Sequence, residues 1–229
     1  ATNRVVINSN NSKIISADLN GDGTDEMILV EFEATGSGKV ELHVWSPSNQ
    51  SWVAHIATAQ PAMSKVSNDV ISADINGDGR DEILLINYNG TATNKIEIHG
   101  LSSNFQGFFL HVATSRQAVD KNSANLVAAD QDGNGADEIY LVEYNNTASG
   151  KIELHGFIGN YQGYFSHVAT NHPVLDSASG RVIAANIAAS KADEFVLVRF
   201  PSSSSTGLFE FHGWLPGQQA WFLHTVAAN

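Results

Sequence analysis

The sequence lacks cysteine, so the fold has neither disulfide bonds nor thiolate metal sites. It also lacks any run of about 18 apolar residues, the length that a membrane-spanning helix needs. The opening residues, Ala1 to Arg4, show no pattern typical of a secretory signal. We therefore expect no membrane insertion and no stabilisation by covalent cross-links.

Basic residues are scarce as well. The chain has 12 Lys and Arg against 24 Asp and Glu, which gives a formal net charge of −12 at pH 7. A surface of this sign repels the phosphate backbone of DNA and RNA. The composition therefore argues against nucleic acid as a partner.

One acidic, glycine-containing stretch organises the chain. It reads DLNGDGTDE from Asp18, DINGDGRDE from Asp74, DQDGNGADE from Asp130 and, in eroded form, NIAASKADE from Asn186. The interval is 56 residues each time, so the chain consists of four copies of one unit. We expect one repeat domain over residues 1–229, with units at about 3–58, 59–114, 115–170 and 171–229.

The start of the chain is in phase with this repeat. Ala57 and Thr58 lie one period after Ala1 and Thr2, so the chain opens just after the point where a preceding repeat would end. We interpret the chain as a module excised from a longer protein, with no exchange of strands between its termini.

The three intact loops have the donor pattern of a calcium site. Oxygen-bearing side chains fall at positions one, three and five, glycine at six and a carboxylate at nine, and Ca²⁺ takes about six to eight oxygen ligands. With a backbone carbonyl at position seven, the predicted ligands are Asp18, Asn20, Asp22, Thr24 and Glu26; Asp74, Asn76, Asp78, Arg80 and Glu82; and Asp130, Asp132, Asn134, Ala136 and Glu138. We expect three Ca²⁺ ions, which would halve the formal net charge.

The same residue types also dominate turns that bind no metal. Three in-register copies of the full pattern favour the metal, and the fourth copy acts as a contrast. It has Asn186, Ala188 and Ser190 at positions one, three and five, so we expect no ion there. It nevertheless keeps Asp193 and Glu194. The Asp-Glu pair is therefore expected to have a structural role too. The aspartates at position eight are expected to be turn or outer-shell groups: Asp25, Asp81 and Asp137.

These loops, each followed by an apolar strand, resemble the calcium-binding repeats of integrin-alpha-like β-propellers, the FG-GAP or VCBS class. The resemblance covers all four units; three loops match it at every ligand position, and the fourth departs from it. It implies that the loop joins the first and second strands of a four-stranded blade in blades 1 to 3, where the ion stiffens the hairpin. Some propellers of this class are similar to lectins, with sugar bound between blades, and some to polysaccharide lyases.

The strand pattern agrees with such a fold. In the first unit, residues 14–17 are a short apolar segment, 27–32 a continuous apolar run typical of a strand buried on both faces, and 40–45 an alternating strand. Residues 52–58 form the fourth strand. Four such units without helical periodicity predict an all-β propeller of four four-stranded blades, or part of a larger ring.

A Glu and a His two residues apart recur in every unit, and a further His follows in the fourth strand. Side chains two apart share one face of a strand, where they would suit acid–base catalysis or a transition metal. A catalytic pair is needed once, so recurrence favours packing, and we expect hydrogen bonds across blades. The residues are Glu41, His43 and His55; Glu97, His99 and His111; Glu153, His155 and His167; and Glu210, His212 and His224.

Aromatic residues recur at two positions of the unit. Flat rings near a rim stack on sugars, whereas rings between blades build the core. The candidate ligand-binding residues are Trp45, Trp52, Trp214 and Trp221.

Together these features predict a non-enzymatic, calcium-stabilised binding module of a secreted or surface protein. Its expected ligand is a carbohydrate, as in a lectin, or another extracellular partner. One alternative is a structural spacer, since no unrepeated polar cluster stands out. The other is the propeller of a polysaccharide lyase, which would need such a cluster of Lys, Arg, Tyr and His, although the 12 basic residues are scattered.

Overall fold

The computed structural model describes residues 8–188, 191–204, 206–214 and 221–226. Within these residues the chain forms sixteen β-strands in four antiparallel sheets of four strands. In every sheet the strands are neighbours in chain order, because each is joined to the next by a short hairpin connection. The four sheets are the four blades of the predicted β-propeller, and this fold prediction is confirmed.

The strands have the following bounds. Blade 1 contains β1 (Ser12–Ala17), β2 (Glu26–Glu31), β3 (Lys39–Ser46) and β4 (Ser51–Pro61). Blade 2 contains β5 (Asn68–Ala73), β6 (Glu82–Asn87), β7 (Lys95–Leu101) and β8 (Phe108–Gln117). Blade 3 contains β9 (Ala124–Ala129), β10 (Glu138–Glu143), β11 (Lys151–Phe157) and β12 (Tyr164–Pro173). Blade 4 contains β13 (Gly180–Ala185), β14 (Glu194–Arg199), β15 (Glu210–Trp214) and β16 (Trp221–Val226).

The chain divides into two compact units, one up to Ala118 and one from Val119. Each unit holds two blades that bury apolar side chains against each other. The first core contains Ile28, Val30, Leu42, Val70 and Leu85, and the second contains Tyr140, Val142, Leu154, Leu197 and Trp214. The extent of a single domain over residues 1–229 stays a prediction.

The second strand of each blade is deeply buried, as its apolar run predicted. In β6, four consecutive residues from Ile83 to Ile86 are buried. In β2 the first apolar residue is different, because Met27 is 47% exposed while Ile28 beside it is fully buried. Successive side chains point to opposite faces of a strand, and the outer face at this end of β2 is open.

The fourth strand is longer than the sequence indicated, since β4 extends to Pro61. A register shift between Lys39 and Glu41 accommodates extra β4 residues, and the same irregularity recurs in blades 2 and 3. Beside it, the hydroxyl of buried Thr58 donates to the carbonyl of Val40 at 2.9 Å. Beyond this bulge the register places His43 directly opposite His55.

Within the part of the chain that the structure describes, no helix has the length and apolar character needed to cross a membrane.

Candidate metal loops

The three intact loops lie between the first and second strands of blades 1, 2 and 3. Each winds its backbone around the carboxylate at position one. In the first loop Asp18 accepts hydrogen bonds from the backbone N–H groups of Gly21 and Gly23, both at 2.7 Å. These glycines have φ of 75° and 80°, a region that a side chain would disfavour. Asp74 and Asp130 repeat the arrangement in their own loops.

These hydrogen bonds also fix the charge at position one. Desolvation would raise the pKa of Asp18, but the backbone donors of Gly23, Gly21 and Asp22 outweigh it and lower the pKa below its ordinary value. The carboxylate is therefore held in its ionised, metal-binding form.

The glutamate at position nine closes each loop from the strand side. Glu26 accepts from the backbone N–H of Leu19 at 3.3 Å and from the side-chain amide of Asn20 at 3.1 Å. The backbone contact recurs in blades 2 and 3, and in the eroded loop Glu194 accepts from Ile187 at 2.9 Å. This contact needs no ion, which explains why the glutamate survives in the fourth blade.

The third loop has the densest group of carboxylates. Among the described residues of the loops, Asp130, Asp132 and Glu138 place one oxygen each within 4.8 Å of one another. In the other two loops position three is Asn20 or Asn76, whose amide group donates to the glutamate at position nine. Carboxylate and amide oxygens are the ligands that Ca²⁺ takes, so the donor set of these loops fits the ion.

Mutual repulsion between the carboxylates also favours a bound cation. Burial, followed by the charges of Asp132 and Asp130, raises the pKa of Glu138. Burial, with contributions from Asp78 and Asp74, likewise raises the pKa of Glu82. Negative charges that resist each other's ionisation are relieved by a cation placed between them.

Positions five and seven are joined by short turns. The side-chain oxygen at position five accepts the backbone N–H at position seven in all three loops, at 2.7 to 3.0 Å. The pairs are Asp22 with Thr24, Asp78 with Arg80, and Asn134 with Ala136. Such turns form with or without metal, so the roles of these side chains and of the three carbonyls as ligands stay predictions.

The fourth loop carries fewer donors. Its Asn186 and Ala188 are described, whereas Ser190 lies outside the described residues. The backbone N–H of Ala188 donates to Glu194 at 3.0 Å, so this carboxylate already has two backbone partners. The absence of an ion from this loop stays a prediction.

The aspartate at position eight links the loops of neighbouring blades within each unit. The backbone N–H of Asp81 donates to the carbonyl of Asp18 at 2.9 Å, and the N–H of Asp18 donates to the carboxylate of Asp81 at 2.9 Å. Asp193 and Asp130 form the same reciprocal pair at 2.7 and 3.2 Å. This contact gives Asp193 a structural role in a loop that lacks the carboxylates of the other loops at positions one, three and five. Sequence analysis missed the link, whose only trace was that retention.

We expect Asp81→Ala to lower the free energy of unfolding by about 1 to 2 kcal/mol, because the N–H of Asp18 loses its acceptor. Asp81→Asn keeps an acceptor oxygen and removes a carboxylate whose pKa is raised chiefly by burial, which means that its charged form destabilises the fold. The urea midpoint of this variant should therefore equal or exceed the wild-type midpoint. Asp25→Ala, at the exposed equivalent position of blade 1, serves as the control. Equal losses for the Ala and Asn variants would refute the hydrogen-bond explanation.

The comparison with known families agrees with this geometry. The model of the FG-GAP-like repeat family matches residues 18–85, which run from the first loop through the second and into β6. The four blades extend the same unit over the rest of the described chain. Residues 18–85 of the chain belong to the FG-GAP-like repeat family. A search of the curated proteins gives no match.

Solved structures with a similar arrangement exist. One is a lectin of Agrocybe aegerita, described for its specific recognition of non-reducing terminal N-acetylglucosamine. The alignment covers 95% of this chain and 80% of the lectin chain, with 11% sequence identity and a TM-score of 0.40. Similarity at this level transfers no ligand from one protein to the other.

The four candidate tryptophans have different surroundings. Trp45 and Trp52 are direct cross-strand neighbours on β3 and β4, and both are half-buried. Trp214 is fully buried and packs against Phe195, with ring centroids 6.3 Å apart. A ring without exposed surface cannot stack on a sugar, so Trp214 is a core residue and not a ligand-binding one. Trp221 lies in β16, and its side chain is outside the described residues.

The repeated Glu and His residues contact each other inside a blade. His55 Nε2 lies 2.9 Å from Glu41 Oε2, on the adjacent strand of the same sheet. His43 Nε2 lies 3.0 Å from Glu31 Oε2, also in blade 1. The expectation of hydrogen bonds across blades is wrong for these pairs, because both contacts join neighbouring strands of one sheet. The register places Glu31 opposite Glu41 and His43 opposite His55, so each His reaches its Glu diagonally.

Proposed function

We propose that this FG-GAP-like protein is a non-enzymatic binding module whose blades are stabilised by calcium. The observation that carries the proposal is the third loop, where Asp130, Asp132 and Glu138 gather three carboxylate oxygens within 4.8 Å. The first and second loops hold the same backbone conformation around Asp18 and Asp74. Three ions, one in each loop, are the proposed number.

In these loops the chain's own residues would orient the donors. The carboxylate at position one is positioned by backbone N–H groups, and the glutamate at position nine is fixed at the start of the second strand. A calcium ion bound between them would neutralise the clustered charges and cross-link the two ends of the hairpin. Calorimetric titration of chelator-treated protein with CaCl₂ tests the proposal: three ions per chain support it, and the absence of binding heat refutes it.

The setting that we propose is extracellular, in a secreted or surface protein. Loops with neutral asparagine at several ligand positions suit the weaker affinities of extracellular calcium modules. FG-GAP-like repeats are typical of such proteins, and a formal net charge of −12 disfavours nucleic acid as a partner.

A glycan is the ligand that we propose for this module. Trp45 and Trp52 supply the supporting observation, since these two cross-strand neighbours keep part of their surface exposed. The corresponding pair in blade 2 is buried Leu101 with Phe108, and in blade 3 it is buried Phe157 with Tyr164. Blade 1 therefore offers two large aromatic rings side by side, a suitable platform for a sugar ring.

We expect Trp52→Ala to weaken glycan binding by about tenfold, because stacking on an aromatic ring contributes roughly 0.5 to 1.5 kcal/mol. A glycan array followed by titration of the best-binding sugar measures the change. Val53→Ala is the matched control, since Val53 is the next residue on the opposite face and is 50% exposed.

Two outcomes would overturn the glycan proposal. Failure of the correctly folded protein to bind any glycan would favour a structural spacer. Formation of unsaturated, ultraviolet-absorbing products from uronic-acid polysaccharides would instead identify a lyase.

A further inference from the structure

Each blade holds a second group of metal-binding side chains, remote in sequence from the calcium loops. It consists of a Glu and a His on the third strand and a His on the fourth, and the second His follows the Glu by 14 positions in every blade. In each group, one ligand atom from each residue lies within 4.8 Å of the others. Two imidazoles and a carboxylate are typical ligands of Zn²⁺.

The group in blade 1 shows the arrangement. The Nε2 atoms of His43 and His55 lie 3.7 and 2.9 Å from the same oxygen, Oε2 of Glu41. The two imidazole rings are stacked with centroids 4.3 Å apart and planes tilted by 22°. Blade 3 repeats this with His155, His167 and Glu153, at 3.4 Å and 3.1 Å.

The other oxygen of the glutamate is held by a hydroxyl group. In blade 1 the Ser37 hydroxyl donates to Glu41 Oε1 at 2.7 Å. A Ser or Thr four residues before the Glu makes the same bond in the other three blades. These are Thr93 to Glu97, Ser149 to Glu153 and Thr206 to Glu210. The hydroxyl directs Oε2 towards the histidines, as an outer-shell partner does for a metal ligand.

A fourth position, at the end of the second strand, decides which blades can offer a further metal ligand. The residue paired there with the third-strand Glu differs from blade to blade: Glu31 in blade 1, Asn87 in blade 2, Glu143 in blade 3 and Arg199 in blade 4. Glu31 and Glu143 each place an oxygen close to the buried His of their blade, at 3.0 and 2.9 Å. Arg199 instead donates to Glu210 at 3.1 Å, so a fixed cation already neutralises the carboxylate of blade 4.

Blade 2 contains buried polar atoms that no protein group satisfies. Among the described residues, Oδ1 of Asn87 and Nδ1 of His99 are buried and make no hydrogen bond, while Nε2 of His99 lies 3.4 Å from Oε2 of Glu97. His99 is only 5% exposed. Unsatisfied buried polar groups cost free energy unless a further ligand satisfies them.

We propose that blades 1, 2 and 3 each bind one borderline divalent transition-metal ion, such as Zn²⁺, through the two His, the third-strand Glu and the Glu or Asn of the second strand. Blade 4 does not bind, because Arg199 takes the place of the fourth ligand. These sites differ from the calcium loops in position and in donor chemistry.

The distances and charges in blade 1 fit such an ion. Ligand atoms of a tetrahedral zinc, bound at about 2.0 Å, lie roughly 3.3 Å apart. The contacts from Glu31, His43, Glu41 and His55 run from 2.9 to 3.7 Å. The side chain of Glu41 is only 8% exposed, and a cation between it and Glu31 would offset the repulsion of two nearby carboxylates.

The site is closed on one side and open on the other. An aromatic ring of the fourth strand covers the buried His: Trp52 over His43 at 6.3 Å, with Phe108 and Tyr164 in the equivalent places of blades 2 and 3. The second His is accessible, since the side chain of His55 is 62% exposed and that of His167 is 57% exposed. An ion would therefore enter past the outer histidine.

Calorimetric titration of the full chain with ZnCl₂, in buffer with excess CaCl₂, tests the proposal. The excess calcium competes with zinc at the oxygen-only loops. We therefore expect three zinc ions per chain. His55→Ala, His111→Ala and His167→Ala should each remove one ion, while His224→Ala in blade 4 should remove none. The outer histidines are exposed, so these variants are expected to fold, and their unchanged circular dichroism verifies this.

Two further measurements test the same metal sites independently. Co²⁺ in place of zinc should give visible absorption bands of a tetrahedral nitrogen and oxygen site, and the bands should weaken stepwise with each His variant. Ser37→Ala should weaken binding in blade 1 by about 10- to 100-fold, as the loss of outer-shell support does. Zinc binding that is absent, or that is unaffected by all three His substitutions, would overturn the proposal.

Discussion

Calcium added to chelator-treated protein is expected to raise the melting temperature with increasing concentration. A ligand that binds only the folded state contributes about 2.7 kcal/mol per site at a free concentration of 100 times its Kd. For a chain of this size, that corresponds to a shift of roughly 5 to 10 °C for one site. Differential scanning calorimetry with a series of CaCl₂ concentrations measures the shift. The physical reason is the clustering of carboxylates in each loop, whose charges add to burial in raising the pKa of Glu82 and Glu138.

Single substitutions divide this effect among the loops. Asp22→Ala, Asp78→Ala and Asn134→Ala each remove the side chain at position five, and each should abolish about a third of the calcium-dependent shift. Ser190→Ala, in the eroded loop, is the control and should leave the calcium dependence intact. Identical melting curves in calcium and in EDTA would refute calcium stabilisation, without bearing on the zinc sites.

Trp214→Ala is expected to be the most destabilising of the tryptophan substitutions. Trp214 is fully buried and packs against Phe195 in the core shared by blades 3 and 4. Replacing a buried Trp by Ala typically costs about 3 to 5 kcal/mol, because apolar contacts are lost and a cavity remains. Its indole N–H makes no hydrogen bond to the described residues, so packing accounts for the loss. Urea unfolding measures the change in free energy.

The matched control is Trp45→Ala, at the equivalent position of blade 1. Trp45 is only half-buried, so we expect a smaller loss, about 1 to 2 kcal/mol. Trp214→Phe keeps an aromatic ring in the core and should fall between the other two variants. If Trp45→Ala and Trp214→Ala cost the same, the difference in burial between the two blades would be contradicted.

Much of the candidate site could be predicted because its signals are local. The spacing from Asp18 to Glu26 lies within one hairpin, so the loop between β1 and β2 follows from the sequence alone. A structural role for Glu194 was also expected, because this residue persists where the side chains at positions one, three and five have changed. Its partner, the backbone N–H of Ile187, is only seven residues away.

Contacts between distant segments were harder to predict. The link from Asp81 to Asp18 spans 63 residues and joins two blades, so no local pattern reveals it. The predicted cross-blade histidine contacts failed for a related reason. The register between β3 and β4 includes a bulge, and this bulge places His43 opposite His55 within one sheet.

The sequence by itself determined the repeat, the four blades and the positions of the loops, because strand order and turn residues are encoded within each unit of the chain. Only the tertiary structure decided which equivalent residues differ in role. Trp45 and Trp214 share a position in the repeat, yet one is partly exposed and the other is fully buried. Glu31 and Arg199 also share a position, but one approaches a histidine and the other neutralises Glu210. Burial and charge pairing depend on neighbours brought together by packing, and a repeat pattern does not specify them.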